Sequence, residues 1–272
     1  MSQPLSYEGK KVVLTGGASG VGAAAVQLLI DLGCTDLTVL DVQEVDSSEF
    51  TSITTDMANP DSIDAAVAQI GDGVDVLFNN AGIAGVHPAE LVLRVNYLGL
   101  RRLTEGLLPT MTKGGAIVNT ASIAGAGWQK QLDKNLELIA IDDWQASLEW
   151  IAENAEFVSA DPYGFSKQLC QVWTMYSSKR SWMDFGVRTN AVCPAPVDTS
   201  LLDDFKAHMT EKVIQWTIDQ TGGTILTAQD IAHVLIMLGS DASYSLNGQN
   251  IAADNGFMGW MATGQVDFSG LA

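Results

Sequence analysis

Lys11-Val-Val-Leu-Thr15-Gly16-Gly-Ala-Ser-Gly20-Val-Gly22 is the stretch whose reading decides the fold. A short β-branched run, a turn with glycines at 16, 17, 20 and 22, and an apolar segment closing at Gly33 predict strand, tight turn and helix. The alternation then recurs. Strands are expected at 37–40, 74–78, 116–120, 187–192 and 249–252, and helices at 60–70, 90–111, 162–183 and 228–238. Strands separated by helices pair in parallel through right-handed crossovers, so the chain reads as α/β with a doubly wound parallel sheet.

With 272 residues, 47% of them hydrophobic, one domain spanning 1–272 has material for a large core. Lys and Arg number 14 against 32 Asp and Glu, a formal net charge of −18, which opposes nucleic-acid backbones and anionic membranes as partners. Cys34, Cys170 and Cys193 are too scattered for a disulfide framework or a zinc site, and no metal is expected. Cys170 and Cys193 read either as buried or as oxidation-sensitive thiols. His87, His208 and His233 show no metal-ligand spacing. Without a targeting segment or a long apolar run, the expected location is cytoplasmic.

Two stretches interrupt the alternation. Residues 128–160 carry Leu132, Leu136 and Ile139, then Trp144, Leu148, Ile151 and Ala155, and these spacings predict a helical insertion. Residues 194–218 open with Pro-Ala-Pro and continue through Leu201, Leu202, Phe205, Met209, Ile214 and Trp216, as a loop and helix at a ligand mouth would.

The glycine turn lies directly between strand and helix, where backbone N–H groups can approach a pyrophosphate at the positive end of the helix, as in Rossmann-type dinucleotide sites. Gly16, Ser19, Gly20, Val21 and Gly22 are the candidates. Asp41 ends the second strand, nineteen residues after Gly22, where a carboxylate accepts ribose hydroxyls and repels a 2′-phosphate. No Lys or Arg lies in 15–22 or 41–49, so NAD is the expected cofactor.

The spacing Thr15-Gly-x-x-x-Gly20-x-Gly22 resembles the short-chain dehydrogenase/reductase family, and further residues match it along essentially the whole chain. Asn79-Asn80-Ala81-Gly82 follows the fourth strand, Asp56-Met57 falls where the family meets adenine, and Asn96, Ser122 and Tyr163-Gly-Phe-Ser-Lys167 match its catalytic positions. Pro194-Ala-Pro-Val197-Asp-Thr199 resembles its nicotinamide loop. Ala195 replaces a usual glycine there, and Asp254-Asn255-Gly256 departs from Asp-Gly-Gly; a positive φ at residue 195 would strain the loop.

Tyr163 and Lys167 share a helix face, and an ammonium together with an oxidised nicotinamide beside a phenol favours the phenolate, which suits Tyr163 as general acid/base. The resemblance implies that Lys167 also holds the nicotinamide ribose, Ser122 the substrate oxygen, and Asn96 a water leading to Lys167. The alternative is a surface Tyr/Lys pair in a catalytically silent NAD-binding protein. A serine-hydrolase elbow is excluded, because Val21 and Gln168 stand where its last glycine belongs.

Ser122 and Tyr163 lie 41 residues apart, so the insertion emerges beside the active site. Its Trp128, Trp144 and Trp150 either cover a greasy pocket for a small hydrophobic alcohol or carbonyl substrate, or pack the insertion on the body. Such an insertion is similar to bacterial 3α-hydroxysteroid dehydrogenase/carbonyl reductases and coniferyl alcohol dehydrogenases. The resemblance also implies a homodimer or homotetramer paired through helices 90–111 and 162–183; the insertion either blocks that pairing or forms a new contact, and the apolar end, Phe257 to Ala272, is a candidate to dock on a neighbour.

Overall fold

Strands β1 (Lys11–Thr15), β2 (Asp36–Asp41), β3 (Thr51–Thr54), β4 (Val76–Asn79), β5 (Ala116–Thr120), β6 (Arg188–Pro194) and β9 (Asn250–Ala253) form one parallel sheet in the order β3-β2-β1-β4-β5-β6-β9. The computed structural model describes residues 4–209 and 211–271; Ala272, Thr210 and residues 1–3 lie outside them, as do the side chains of His208, Met209 and Leu271. A short pair, β7 (Val197–Asp198) and β8 (Leu226–Thr227), stands apart from the main sheet. In the main sheet, the four-residue β3 is the strand that the hydrophobic pattern did not single out: it is a half-exposed edge strand, Thr-Ser-Ile-Thr, with one apolar residue.

The central strands are buried on both faces. Val12 and Leu14 face helices α1 (Gly20–Asp31) and α11 (Ala228–Gly239), and Val13 faces α2 (Pro60–Ile70) and α4 (Leu100–Leu107), as the two-residue period of a strand requires. Helix ends follow local chemistry. Asn59 caps α2 ahead of Pro60, and Thr227 and Asp230 form a capping box on α11.

The expected helix over 90–111 is divided into α3 (Ala89–Leu93), a π turn (Arg94–Gly99) and α4. Such a turn wedges one extra residue into the helix, and it does so at Asn96.

The insertion folds as α5 (Leu132–Ile139), α6 (Trp144–Glu153) and α7 (Ala155–Ala160). It leads into α8 (Pro162–Phe185), which starts at the Asp161 cap and Pro162 and stops at Gly186, where φ is 70°. Leu138, Ile139, Ile151 and Val158 pack with Leu98 and Leu100 of the α3–α4 region and with Leu169, Val172 and Trp173 of α8. The insertion thus covers part of the helix faces expected to pair between subunits, while Tyr176, Trp182 and Met183 of α8 stay exposed.

The remaining helices are α9 (Leu201–Met209) and α10 (Glu211–Gln220), which replace the expected loop and helix, and α12 (Phe257–Ala262) after the last strand. No helix among the described residues is long and apolar enough to cross a membrane.

Candidate active site

A cavity of about 740 Å³ runs along the carboxyl ends of the parallel strands, from Asp41 and Asp56 at one end to Trp216 and Phe268 at the other. The glycine turn forms its floor. Gly16 adopts φ 74°, and a Cβ on it would stand 2.8 Å from Ala81 Cα. Thr15 Oγ1 accepts from Asn80 N and Ala81 N, both at 2.9 Å, and joins the turn to the Asn-Ala-Gly segment beyond β4. Ser19 makes no side-chain cap, and the first turn of α1 holds no acidic residue, so its N–H groups keep their affinity for an anion. Asp41 accepts from Ala18 N at 2.9 Å and Gln43 N at 3.0 Å, which fixes its carboxylate beside the turn.

Most residues expected to bind cofactor line this cavity: Gly16, Ser19, Gly20, Val21, Asp41, Asp56, Met57, Asn80, Ala81 and Gly82 on one side, and Pro194, Val197 and Thr199 opposite. Gly22 does not. It packs behind the turn, where a Cβ would stand 1.9 Å from Gly16 O, so its missing side chain serves close packing. Asn96 also lies behind the wall. Its Oδ1 accepts from Ile83 N at 2.9 Å, and its Nδ2 donates to Ile83 O and Ser166 Oγ at 3.0 Å each. Both side-chain donors of Asn96 are thus used, which leaves one lone pair of Oδ1 and the main chain for the expected water.

Ser122, Tyr163 and Lys167 meet on the cavity wall. Lys167 Nζ donates to Thr120 O at 2.8 Å and stands 5.6 Å from the centre of the Tyr163 ring. Burial pushes the Tyr163 phenol above its ordinary value, and the neighbouring Ser122 hydroxyl partly offsets this. Burial likewise holds the Lys167 ammonium below its ordinary value. Within the chain alone, desolvation of the buried phenol outweighs the groups that lower it.

The substrate end decides the alternative left open for the insertion's tryptophans and gives the C-terminal segment a place within this chain. No residue of 128–160 lines the cavity; Trp128, Trp144 and Trp150 pack the insertion onto the body, Trp150 at 6.2 Å from Phe165. Instead Phe205 stands 4.9 Å from the Tyr163 ring. The C-terminal segment, a candidate to dock on a neighbour, closes the far end of this chain's cavity: Trp216 meets Phe257 at 5.7 Å and Phe268 at 5.4 Å, and its Nε1 donates to Asp267 O at 2.9 Å. The apolar spacing of Phe257, Met258 and Met261 after the last strand was the available signal. His87, an exposed residue, also lines the cavity.

Ala195 escapes the positive φ that would strain it. The left-handed residue is Asn255, at φ 53°, in a position where the family carries glycine, and asparagine tolerates that region. Cys170 and Cys193 are buried, and burial raises their thiols to about 11 and about 12, which favours inert packing over redox reactivity. Among the described residues no three His, Cys, Asp or Glu side chains gather to hold a metal.

Comparison with known proteins agrees with this geometry. A family model described as short chain dehydrogenase matches residues 10–132, and one described as Enoyl-(Acyl carrier protein) reductase matches 147–258. A coniferyl-alcohol dehydrogenase of Pseudomonas sp. is 32% identical over 251 residues, covering 91% of this chain and 96% of that protein. A solved 3-alpha-hydroxysteroid dehydrogenase of Pseudomonas sp., complexed with NADH, superposes with a TM-score of 0.78 at 24% identity, covering 95% of this chain and all of that one. A short chain dehydrogenase of Burkholderia cenocepacia in complex with NADP superposes at 0.69 with 23% identity, covering 93% of this chain and 99% of that one. At these identities the two structures speak for the fold.

Proposed function

The chain belongs to the short-chain dehydrogenase/reductase family, and from that premise we propose that it is an NAD(H)-dependent oxidoreductase interconverting a bulky, uncharged alcohol with its ketone or aldehyde. The observation that carries the reading is the meeting of Ser122, Tyr163 and Lys167 on the wall of a cavity whose one end suits a dinucleotide and whose other end is apolar. Aromatic, phenylpropanoid-like and steroid-like alcohols suit that end, where Leu201, Phe205, Ile214, Trp216 and Phe257 supply no charge.

The residues present fit a nicotinamide dinucleotide: the Gly16–Ala81 approach leaves a floor that a side chain would fill, and α1 points its uncapped end there. Gly16, Ser19, Gly20 and Val21 would hold the diphosphate, Asp41 the adenine-side ribose, Asp56 and Met57 the adenine, Asn80 to Gly82 and Lys167 the second ribose region, and Pro194, Val197 and Thr199 the carboxamide. When bound, the cofactor supplies the hydride acceptor or donor and, oxidised, a positive charge. Tyr163 holds the proton that the alcohol oxygen loses, Ser122 bonds that oxygen, and Lys167 is the ammonium at the same wall.

No basic side chain lines the cavity near Asp41, where Val42 and Gln43 are its neighbours, and this supports NAD over NADP. Asp41→Ala should reduce the preference for NADH over NADPH by roughly tenfold, the scale of one charge-pair interaction at a few ångströms. A wild-type preference for NADPH in the same steady-state assay would overturn the assignment.

The reading itself is tested by following NADH absorbance across benzylic, phenylpropanoid and steroid alcohols alongside ethanol. Turnover restricted to small polar alcohols would refute the substrate class, and none with any alcohol would refute the activity. Trp216→Ala should lower kcat/KM for the bulky alcohols by about tenfold or more and leave ethanol unchanged, because the lost wall touches only the larger substrate. A homo-oligomer, dimer or tetramer, would use surface left free by the insertion, which on α8 includes Tyr176, Trp182 and Met183.

A further inference from the structure

Gln171 lies one turn beyond Lys167 on the same face of α8, buried at 5% exposure, and no part of the chemistry above uses it. Its Nε2 donates to the Ser122 carbonyl at 2.7 Å. Ser122 is extended at φ −172° and ψ 157°, and its Oγ accepts from Ala124 N at 3.1 Å, opening the 3-10 turn Ile123–Gly125. That turn is pressed onto α8: a Cβ on Gly125 would stand 2.6 Å from Lys167 O and 2.7 Å from Gln171 Nε2. The main chain of Gln171 is held in turn, its carbonyl accepting from Asn250 Nδ2 of β9 at 3.2 Å.

The Ser122 hydroxyl has little else to fix it on its donating side, since its contact with Pro194 O is long, at 3.4 Å. The direction of its Cα–Cβ bond is set by where its own carbonyl is tied. We infer that Gln171 is a positioning residue that clamps the Ser122 main chain to the helix bearing Tyr163 and Lys167, and so sets where the Ser122 hydroxyl stands on the cavity wall beside Tyr163. The clamp is carried by a side chain, so it can be removed without touching substrate or cofactor. The effect of its loss rests on the hydride-transfer reading proposed above, with Tyr163 as acid/base.

Gln171→Met keeps the length and bulk and removes the donor. In the full chain it should lower kcat for alcohol oxidation about tenfold, leave KM and NADH binding within twofold, and move the alkaline limb of the kcat profile to higher pH. A merely structural role would not produce the coupling: in a Ser122→Ala background Gln171→Met should have no further effect on kcat. A second readout needs no turnover. In protein carrying ¹³Cζ-tyrosine, the Tyr163 resonance should titrate at higher pH in Gln171→Met than in wild type, by the same shift as in Ser122→Ala. Gly125→Ala reaches the junction from the other side and should show the same non-additivity with Ser122→Ala, which serves if Gln171→Met folds poorly.

Multiplicative losses in the double variants, or an unmoved Tyr163 titration, would overturn the inference. Turnover that survives Tyr163→Phe would instead overturn the acid/base reading on which the kinetic test stands, while the resonance test would still decide the clamp.

Discussion

Replacing Tyr163 by Phe is expected to lower kcat for alcohol oxidation by a factor on the order of 10²–10⁴, the usual contribution of a positioned acid/base, while NADH binding changes little. The ring keeps its packing against Phe205 and its place on α8; only the hydroxyl is lost. Stopped-flow or steady-state absorbance with an aromatic alcohol measures the first quantity, and NADH fluorescence titration the second. The sign of the pH dependence follows from burial, which raises the phenol above its ordinary value. Oxidation needs the phenolate as base, so its rate should climb with pH through the alkaline range; carbonyl reduction needs the neutral phenol and should not. Ser122→Ala removes the hydroxyl that opposes the rise and should move the oxidation limb to higher pH. An oxidation rate independent of pH, together with an active Phe variant, would take proton transfer away from Tyr163.

The ribbon of the sheet and the glycine-turn end of the cavity were legible in the sequence because each rests on local chemistry. Strand, glycine turn and helix at 11–31, and a carboxylate at the end of the next strand, are patterns whose geometry is decided within about 30 residues. Gly22 and Asn96 were legible as special but not as to why. A glycine needed for packing and one lining a ligand look alike, and only the Gly16 carbonyl behind Gly22 separates them. Long-range packing was not legible. Tryptophans at helical spacing could face a pocket or a neighbouring helix, and the choice was made by apolar surface on α8 far away in sequence. The same holds for the C-terminal segment, whose partner Trp216 lies about 50 residues upstream, and for Gln171, which only the fold brings to Ser122.

How the insertion is fastened gives the largest expected effect on stability. Arg101 on α4 is buried at 7% exposure, and its Nη1 donates to Ile139 O at 3.0 Å and Ile141 O at 2.8 Å, closing the end of α5. Its Nη2 pairs with Asp142, and its Nε donates to Glu105 at 3.0 Å. Most of the value lies in the carbonyls. Asp142 is almost wholly exposed, so that ion pair is screened and counts for little, whereas truncation to Ala strands a buried acceptor at Ile139 and opens a void on α4. Arg101→Ala should therefore cost about 3 kcal/mol, a fall in Tm of roughly 10 °C for a chain of this size. Lysine cannot restore a planar fork that reaches two carbonyls and two carboxylates, so Arg101→Lys should recover only part of it. Because the insertion braces the outer face of α8, limited proteolysis of the Ala variant should cut first within 128–160. Loss of Tm without that selective cleavage would mean that Arg101 stabilises the body and that the insertion is held by its apolar packing alone.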